Sequence, residues 1–274
     1  MLSQTQSGTS LNAERALEIL LALGEVGADG LSLSQIAQRL GGAKSAAHRS
    51  LSALRNKGFV EPAGRYGHYR LGPAIPVIAR QQGRLDSQIQ LIRPGMTEFA
   101  RKTGFTVYLM VQAGIDAVCA EIISRSPRRQ FTMGVGARVP MGIAAGSMAL
   151  LSIMPEDAVA EIIKANTERY AIHPALTAIN AEMIAEQVAQ SRERGYAINM
   201  GYYLPGEGGL GLPIHRRHHY EVDVAVSFNA PIEMMTEEWI SSMIEELRGC
   251  LGPDLLNRGL KADSLALDRL PSGG

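Results

Sequence analysis

The sequence predicts an α+β protein in two parts: a small N-terminal module of helices and a β-hairpin, and a larger C-terminal α/β domain with a mostly antiparallel sheet. Three observations lead to this class. Residues 31–71 contain two short helical patterns separated by a Gly-Gly pair and followed by a hairpin pattern. From Arg93 onward, helical and strand patterns alternate. Positive charge is concentrated in residues 31–70, whereas the whole chain is formally neutral.

The N-terminal elements begin with a helix predicted from about Asn12 to Leu23. Ser32 is placed to cap the next helix, because its hydroxyl can accept a free backbone N–H of the first turn. Gly41 and Gly42 end that helix in a tight turn, since glycine adopts conformations that other residues avoid. A second helix begins at Lys44. This order predicts a helix-turn-helix.

The second helix, residues 44–57, carries an apolar stripe of Ala47, Leu51 and Leu54, while its basic and hydroxyl side chains project elsewhere. Residues 59–61 and 68–71 are expected to pair as strands around a tip that contains Arg65 and Tyr66. A helix-turn-helix followed by such a hairpin is a winged helix-turn-helix. We assign it to residues 10–73, followed by a linker helix over residues 74–92.

Charge indicates what this module contacts. Residues 31–70 hold seven Lys or Arg against one acid, Glu61, a formal excess of +6. Neutralisation of phosphates by such a footprint is the sequence-independent part of DNA affinity. The alternative is that the basic side chains only solvate a helix face, as in winged-helix modules that bind protein alone. The combination of helices, hairpin and charge favours double-stranded DNA as the partner.

Residues 93–262 are assigned to the C-terminal domain. An antiparallel sheet with helices against it suits a pocket for a small molecule. Its elements are a helix at 94–103, strands at 106–111 and 117–123, helices at 144–153, 156–165 and 181–194, strands at 196–200, 209–214 and 222–229, and a final helix at about 236–251.

Composition narrows the class further. The chain is 46% hydrophobic and 20% charged, as in ordinary globular proteins. Residues 1–10 lack the features of a secretory signal, and the longest charge-free run is shorter than the roughly 20 residues of a membrane helix. We therefore expect a cytoplasmic protein without membrane contact. Cys119 and Cys250 match no metal or redox spacing, so no metal or cofactor is expected.

Several sequence blocks together resemble the IclR family of bacterial transcription regulators, from about Ser10 to Gly252. Residues 11–20 are similar to the opening helix of the family, residues 44–54 to its recognition helix, and Gly58-Phe59-Val60 leads into the wing. Four further blocks match in order in the second domain: residues 138–146, 194–197, 211–214 and 224–231. The resemblance implies a GAF-like effector domain, dimers or dimers of dimers, and control by a small organic acid or aromatic compound.

The resemblance also implies roles for the basic residues. Ser45, His48, Arg49 and Ser52 would enter the major groove, where Arg can bond bidentately to guanine. The backbone would be held mainly by Lys44, Arg55, Arg65 and Arg70. Tyr66 would contact sugar or the minor groove, or serve only as a surface turn residue. A two-fold dimer implies a palindromic operator.

For the effector we hypothesise a site where the start of the helix after Met141 meets the sheet. Free N–H groups at a helix N-terminus favour a carboxylate, and Ser and Asn supply orienting hydrogen bonds. The alternative for each polar candidate is that it is a core residue whose hydrogen bonds are all made within the protein. The candidates are Met141, Ala145, Gly146, Asn199, Gly209, Ser227 and Asn229.

This chain departs from the family pattern near that site. Gly142 stands where the family usually has His, Ser147-Met148-Ala149 replaces a common Gly-Lys-Ala step, and Asn199 corresponds to a position that is commonly acidic. Gly209 stands where a small residue or Cys is common. These differences predict an effector that is less polar, or differently charged, than that of glyoxylate-type members.

Enzymatic motifs are weak. Residues 206–211 fit the spacing of a dinucleotide fingerprint, but no helix is predicted after them, and we interpret them as a flexible loop. Residues 145–149 only approach a nucleophile elbow. His215, His218 and His219 are separated by arginines that would repel a cation, which favours a solvated turn. No catalytic residue is assigned; an enzyme or metabolite-binding module with a vestigial winged helix is the alternative function.

Overall fold

The computed structural model describes residues 10–82, 84–124, 133–171, 179–216 and 221–256. The chain divides into two compact units, residues 1–83 and 84–274. The N-terminal unit contains α1 (Leu11–Gly24), a short 3-10 helix (Gly27–Asp29), β1 (Leu31–Ser32), α2 (Leu33–Arg39), α3 (Lys44–Asn56), β2 (Val60–Pro62), β3 (His68–Leu71) and α4 (Ala74–Gln82).

The helix-turn-helix in the N-terminal unit follows the predicted capping. The Ser32 hydroxyl accepts from the backbone N–H of Gln35 at 3.3 Å, and the Gln35 side chain accepts from the Ser32 N–H at 2.9 Å. Gly41 then turns the chain at φ 60°, a conformation that glycine adopts without a Cβ clash. The predicted cap is therefore confirmed, and the turn places α2 and α3 side by side.

The wing forms a three-stranded antiparallel sheet in the order β1-β3-β2. β2 pairs with β3 so that Glu61 lies opposite Arg70. Helices and wing share one core, whose largest members are Ile19, Leu23, Ile36 and Leu51. Burial of these side chains against one another fixes which face of α3 remains outside.

The C-terminal unit is built on one sheet with helices on both faces. Its six strands are antiparallel in the order β6-β5-β4-β9-β8-β7. The elements in chain order are α5 (Arg84–Thr103), β4 (Val107–Ala113), β5 (Asp116–Ile123), β6 (Arg138–Pro140), α6 (Ala145–Ser152), α7 (Glu156–Ala171), α8 (Ala181–Arg194), β7 (Ala197–Leu204), β8 (Glu207–Ile214), β9 (Val224–Pro231), α9 (Glu237–Leu251) and α10 (Pro253–Leu256).

Each face of this sheet has its own core. On one face, Phe99 of α5 and Phe228 of β9 lie with ring centroids 4.8 Å apart, and α9 completes the layer. On the other face, α6 is buried along its whole length and α7 and α8 pack with it, burying Met148, Leu151 and Ile184. The first residues of α6 contact the inner strands β4, β9 and β8, where the effector site is predicted.

Two predicted elements are wrong. The boundary predicted between a linker helix at 74–92 and a separate helix at 94–103 is wrong, because α5 runs from Arg84 through Pro94 to Thr103. Pro94 is exposed, whereas Ile92, Met96 and Phe99 are fully buried, so packing of the inner face holds the helix through a residue that removes one N–H donor. The loop predicted at 206–211 is a turn at Gly206 that leads into strand β8.

Candidate nucleic-acid interface and effector region

The outer face of α3 is the candidate nucleic-acid interface. Ala47, Ser50 and Leu51 are buried on its inner side, whereas the predicted contact residues Lys44, Ser45, His48, Arg49 and Arg55 are exposed. Ser52 is half-buried at the edge of the face. One helix therefore presents most of the predicted contacts together.

The start of α3 adds to its positive character. Ala43 occupies the N-cap position without a side-chain hydrogen bond, and no acidic residue lies in the first turn. The first backbone N–H groups of a helix and its dipole favour negative charge. Lys44 stands at the same end. This end of α3 is suited to a phosphate.

The predicted DNA-contact residues of the wing differ in whether they are free to reach DNA. Arg65 and Tyr66 lie at the tip, and Tyr66 is fully exposed. Arg70 instead lies opposite Glu61, with Nη2 and Nε at 2.7 and 2.8 Å from the Glu61 Oε1. The charge of Arg70 is thus neutralised within the wing, and Arg70 is less available to DNA than Arg65.

The sequence prediction also missed a cation of this surface. Lys57 follows α3 directly, is exposed, and makes no ion pair with a described residue. Arg39, by contrast, pairs with Glu25 at 3.1 Å. The signal for Lys57 was its position after Arg55 and before the Gly58 turn. The available cations are Lys44, Arg49, Arg55, Lys57 and Arg65.

The predicted effector residues come together on the inner face of the C-terminal sheet. Strand pairing aligns Asn199, Gly209 and Asn229 in one row across β7, β8 and β9. The neighbouring row aligns Gly211 and Ser227, and continues to Tyr108 on β4. Tyr108 was missed, although its alternation with Met110 along β4 marks it as facing the same side.

The helix α6 packs closely on these rows. A Cβ at Gly146 would lie 2.7 Å from Ser227 Oγ and 2.6 Å from Met110 Cγ, and one at Gly209 would lie 3.1 Å from both Ala145 Cβ and Asn229 Oδ1. Glycine therefore permits the close approach of helix and sheet. Met141 is fully buried beside them, and its carbonyl accepts from the Tyr170 hydroxyl at 2.7 Å.

Polar groups near the start of α6 are already paired. The Asn199 amide donates to the Ile143 carbonyl at 2.6 Å and accepts from the Tyr202 N–H at 2.9 Å. The Ser147 hydroxyl accepts from the N–H groups of Gly142 and Ala144 at 3.1 and 3.0 Å. Asn199 and Ser147 therefore hold the segment before α6 in place, which is the alternative role foreseen for such residues.

A charged cluster fixes the neighbouring edge. Asp116 lies 3.0 Å from Arg138 Nε and 2.6 Å from Arg169 Nη1, and its side chain is 12% exposed. This ties α7 to β5 and β6. Cys119 is buried on the same strand, and burial raises the pKa of its thiol to about 12, so the thiol stays protonated at neutral pH.

The enzymatic motifs find no support in the geometry. The Gly206 segment leads into a strand, and no helix follows for a pyrophosphate to bind. The Ser147 hydroxyl is bound to the backbone before α6. His218 and His219 lie outside the described residues. Across the described ranges, no three His, Cys, Asp or Glu side chains gather as metal ligands do, and no helix is long and apolar enough to cross a membrane.

Comparison with known proteins identifies the same family in both units of the chain. Residues 12–64 match the IclR helix-turn-helix domain, and residues 87–251 match the bacterial transcriptional regulator IclR C-terminal domain. The transcriptional repressor IclR of Escherichia coli is 22% identical over 237 residues, 86% of this chain and 85% of that protein. HTH-type transcriptional regulator Rv1719 of Mycobacterium tuberculosis is 30% identical over 190 residues, 66% of this chain and 72% of that protein.

Solved structures share the fold. An IclR homolog from Microbacterium hydrocarbonoxydans, crystallised as a complex with 4-hydroxybenzoate, has a TM-score of 0.67 at 21% identity and covers 89% of this chain and 98% of its own. A regulator from Silicibacter has a TM-score of 0.69 at 22% identity, with 90% and 95% covered. The chain belongs to the IclR family of bacterial transcriptional regulators, with a DNA-binding helix-turn-helix in its N-terminal unit and an effector-binding domain in its C-terminal unit.

Proposed function

We propose that this regulator acts in the cytoplasm as a homodimer or dimer of dimers that binds a palindromic operator through α3 and the wing. In this proposal, residues 10–73 bind DNA and residues 93–262 bind an effector that changes operator affinity. Residues 74–92 link these two domains. The observation that carries the proposal is the outer face of α3, where exposed cations have no acidic partner among the described residues.

The contacts divide by chemistry. Arg49 is the main base reader, because an arginine fork matches the two acceptors of guanine in the major groove, and Ser45, His48 and Ser52 flank it. Lys44, Arg55 and Arg65 bind phosphates, with Lys57 as an addition. Arg70 contributes less, because Glu61 already holds its guanidinium. Tyr66 contacts the sugar or minor groove from the wing tip.

The effector is proposed to bind beside the start of α6, at the place where this helix meets the two aligned rows of the sheet. The candidates Met141, Ala145, Gly146, Asn199, Gly209, Ser227 and Asn229 surround this point. Asn199 acts there indirectly, by positioning the Ile143 carbonyl. The apolar surroundings and the few polar side chains suit an aromatic or short organic acid, and the homolog bound to 4-hydroxybenzoate supports that class.

The test is selection of duplexes from a random pool by the purified protein, followed by affinity measurements on the selected sequence with and without aromatic and aliphatic carboxylates. Enrichment of a two-fold symmetric site, and a change of affinity with one carboxylate class, is expected. Failure to enrich any sequence would contradict the proposal and favour a metabolite-binding module with a vestigial winged helix.

A further inference from the structure

A cavity lies at the opposite end of α6 from the proposed effector site. Its volume is about 720 Å³, and it is lined where α6, α8 and α9 end and by the last residues of β8. None of the seven effector candidates lines it. Since α6 spans eight residues, roughly 12 Å of buried helix separates the two places.

The described lining combines cations with an apolar wall. Arg192, Arg248 and His215 contribute nitrogen donors, and Leu212 and Pro213 of β8 contribute apolar surface. The described lining residues include no Asp or Glu. A cavity of this size and composition matches sites for small molecules that carry a negative charge on an apolar body.

The two arginines are used differently. Arg192 caps the end of α6, because its Nε and Nη2 donate to the carbonyls of Ser152 and Met154 at 3.1 and 2.6 Å. Its Nη1 lies 3.5 Å from Glu156, whose side chain is 92% exposed. Arg192 is therefore held in place mainly by backbone, with its charge only weakly neutralised.

The Arg248 side chain, in contrast to that of Arg192, makes no such hydrogen bonds. It is half-buried in the last turn of α9, and it forms no hydrogen bond or ion pair with any residue in the described part of the chain. A Cβ at Gly195 would lie 3.5 Å from Arg248 Nη2, so this guanidinium reaches the end of α8. A partly desolvated cation beside a second cation is costly unless an anion joins them.

A third guanidinium, that of Arg194, adds to the positive charge in this region. Arg194 precedes Gly195 directly, and its Nε and Nη2 are buried without a hydrogen-bond partner among the described residues. Its guanidinium carbon lies 5.9 Å from the centre of the Tyr196 ring. Arg194 does not itself line the cavity, but it adds positive charge at the end of α8, next to the lining residue Gly195.

We propose that this cavity is a second ligand site, distinct from the effector region, which binds a small organic carboxylate through Arg248 and Arg192 while Leu212 and Pro213 pack against its apolar part. The site does not depend on DNA binding or on the proposed effector pocket. A ligand here would contact the C-terminal end of α6, whose N-terminal end contacts the effector region.

The experiment is isothermal titration calorimetry of the full-length protein with benzoate, and with inorganic phosphate as an anion without an apolar part. We expect the benzoate titration to contain a component that Arg248→Gln weakens about tenfold or more, the effect of removing one charge-assisted contact. Phosphate should bind more weakly than benzoate. Arg248→Lys, which keeps the charge but not the fork, should lie between wild type and Arg248→Gln.

Two controls locate the component. Arg216→Gln removes an equal charge from a nearby exposed residue that pairs with Asp223 and does not line the cavity, so benzoate affinity should stay unchanged. Ser227→Ala, in the effector region, should also leave this component unchanged. The proposal is overturned if no benzoate component exists, if Arg248→Gln and Arg216→Gln weaken it equally, or if Ser227→Ala removes it and Arg248→Gln does not. An unchanged melting temperature of Arg248→Gln verifies its fold.

Discussion

The α-carbon of Gly211 in β8 faces the backbone of Ala145 at the start of α6, so closely that a Cβ at residue 211 would stand 2.7 Å from the Ala145 carbonyl carbon. The neighbouring atom belongs to backbone and has no rotamer to change. Glycine at this position lets the helix lie directly on the sheet. The distance between α6 and β8 thus depends on one missing methyl group.

A methyl group at residue 211 should therefore destabilise the C-terminal unit. We expect Gly211→Ala to lower the free energy of unfolding by about 2–3 kcal/mol, because α6 must move away from the sheet. Gly249→Ala is the matched control: a Cβ at Gly249 in α9 meets nothing within 4 Å. Alanine there should be neutral or stabilise by up to about 1 kcal/mol. Urea unfolding of both variants measures this, and equal stabilities would show that α6 does not press on β8.

Asp116 should be a major electrostatic contributor to stability in this unit. Asp116→Ala removes the common partner of Arg138 and Arg169 and leaves two partly buried cations, so we expect a loss of about 2–4 kcal/mol. Glu98→Ala breaks a solvent-exposed pair with Arg101 one turn away on α5, and should cost far less stability than Asp116→Ala. Thermal unfolding compares the two. A larger loss from Glu98→Ala would refute the assignment.

The loss of operator affinity on substituting a basic residue of the proposed DNA interface should depend on whether an acidic residue already pairs with it. Arg49→Ala should weaken operator binding about tenfold or more and relax sequence preference, since it would remove the proposed base contact, an interaction typically worth about 1–3 kcal/mol. Arg70→Ala should have a smaller effect, because Glu61 already neutralises Arg70. Lys164→Ala, on the exposed surface of α7, should change nothing. Fluorescence anisotropy with the selected duplex gives all three affinities; an Arg70 effect larger than that of Arg49 would contradict this ranking.

Thiol reactivity should follow burial. Burial and the nearby Glu246 raise the pKa of Cys250 to about 11, so its thiolate fraction should reach one half only near pH 11 and not near pH 9. Iodoacetamide labelling followed by peptide mass spectrometry measures the rate at this residue. Glu246→Gln removes a nearby negative charge that disfavours the thiolate, and should shift the profile to lower pH. A wild-type profile with its midpoint near pH 9 would contradict burial of this thiol.

Sequence alone predicted the elements whose signals are local. The cap at Ser32, the Gly41 turn and the apolar stripe of α3 depend on neighbours a few residues away, and the structure confirms them. The extent of α5 was wrong because contacts of Ile92 and Phe99 with distant strands and helices, invisible to local periodicity, hold the helix through Pro94. The strand predicted at 209–214 is confirmed as part of β8, whereas the first residues of β8, from Glu207, were interpreted as a loop because of the glycines around them.

The sequence predicted which residues of the candidate sites lie near one another, but not which side chains pair with one another. Sequence blocks placed Ser227 and Asn229 near α6, and strand register does bring their rows together. The reduced availability of Arg70 depends on the Glu61 register, and the cavity around Arg248 depends on three helices ending at one place. Such relations connect residues far apart in sequence, and no local pattern encodes them.

In the proposed mode of DNA binding, α3 and the wing contact the duplex through cations that have no acidic partner among the described residues. The most direct measurement is the salt dependence of affinity for the selected duplex. We expect log K to fall linearly with log salt concentration, with a slope of about −0.9 for each phosphate neutralised. In Lys44→Ala or Arg55→Ala the slope should become less steep by about 1 for each phosphate that a subunit no longer neutralises. A flat salt dependence, or slopes that neither variant changes, would show that these cations do not bind the DNA phosphates.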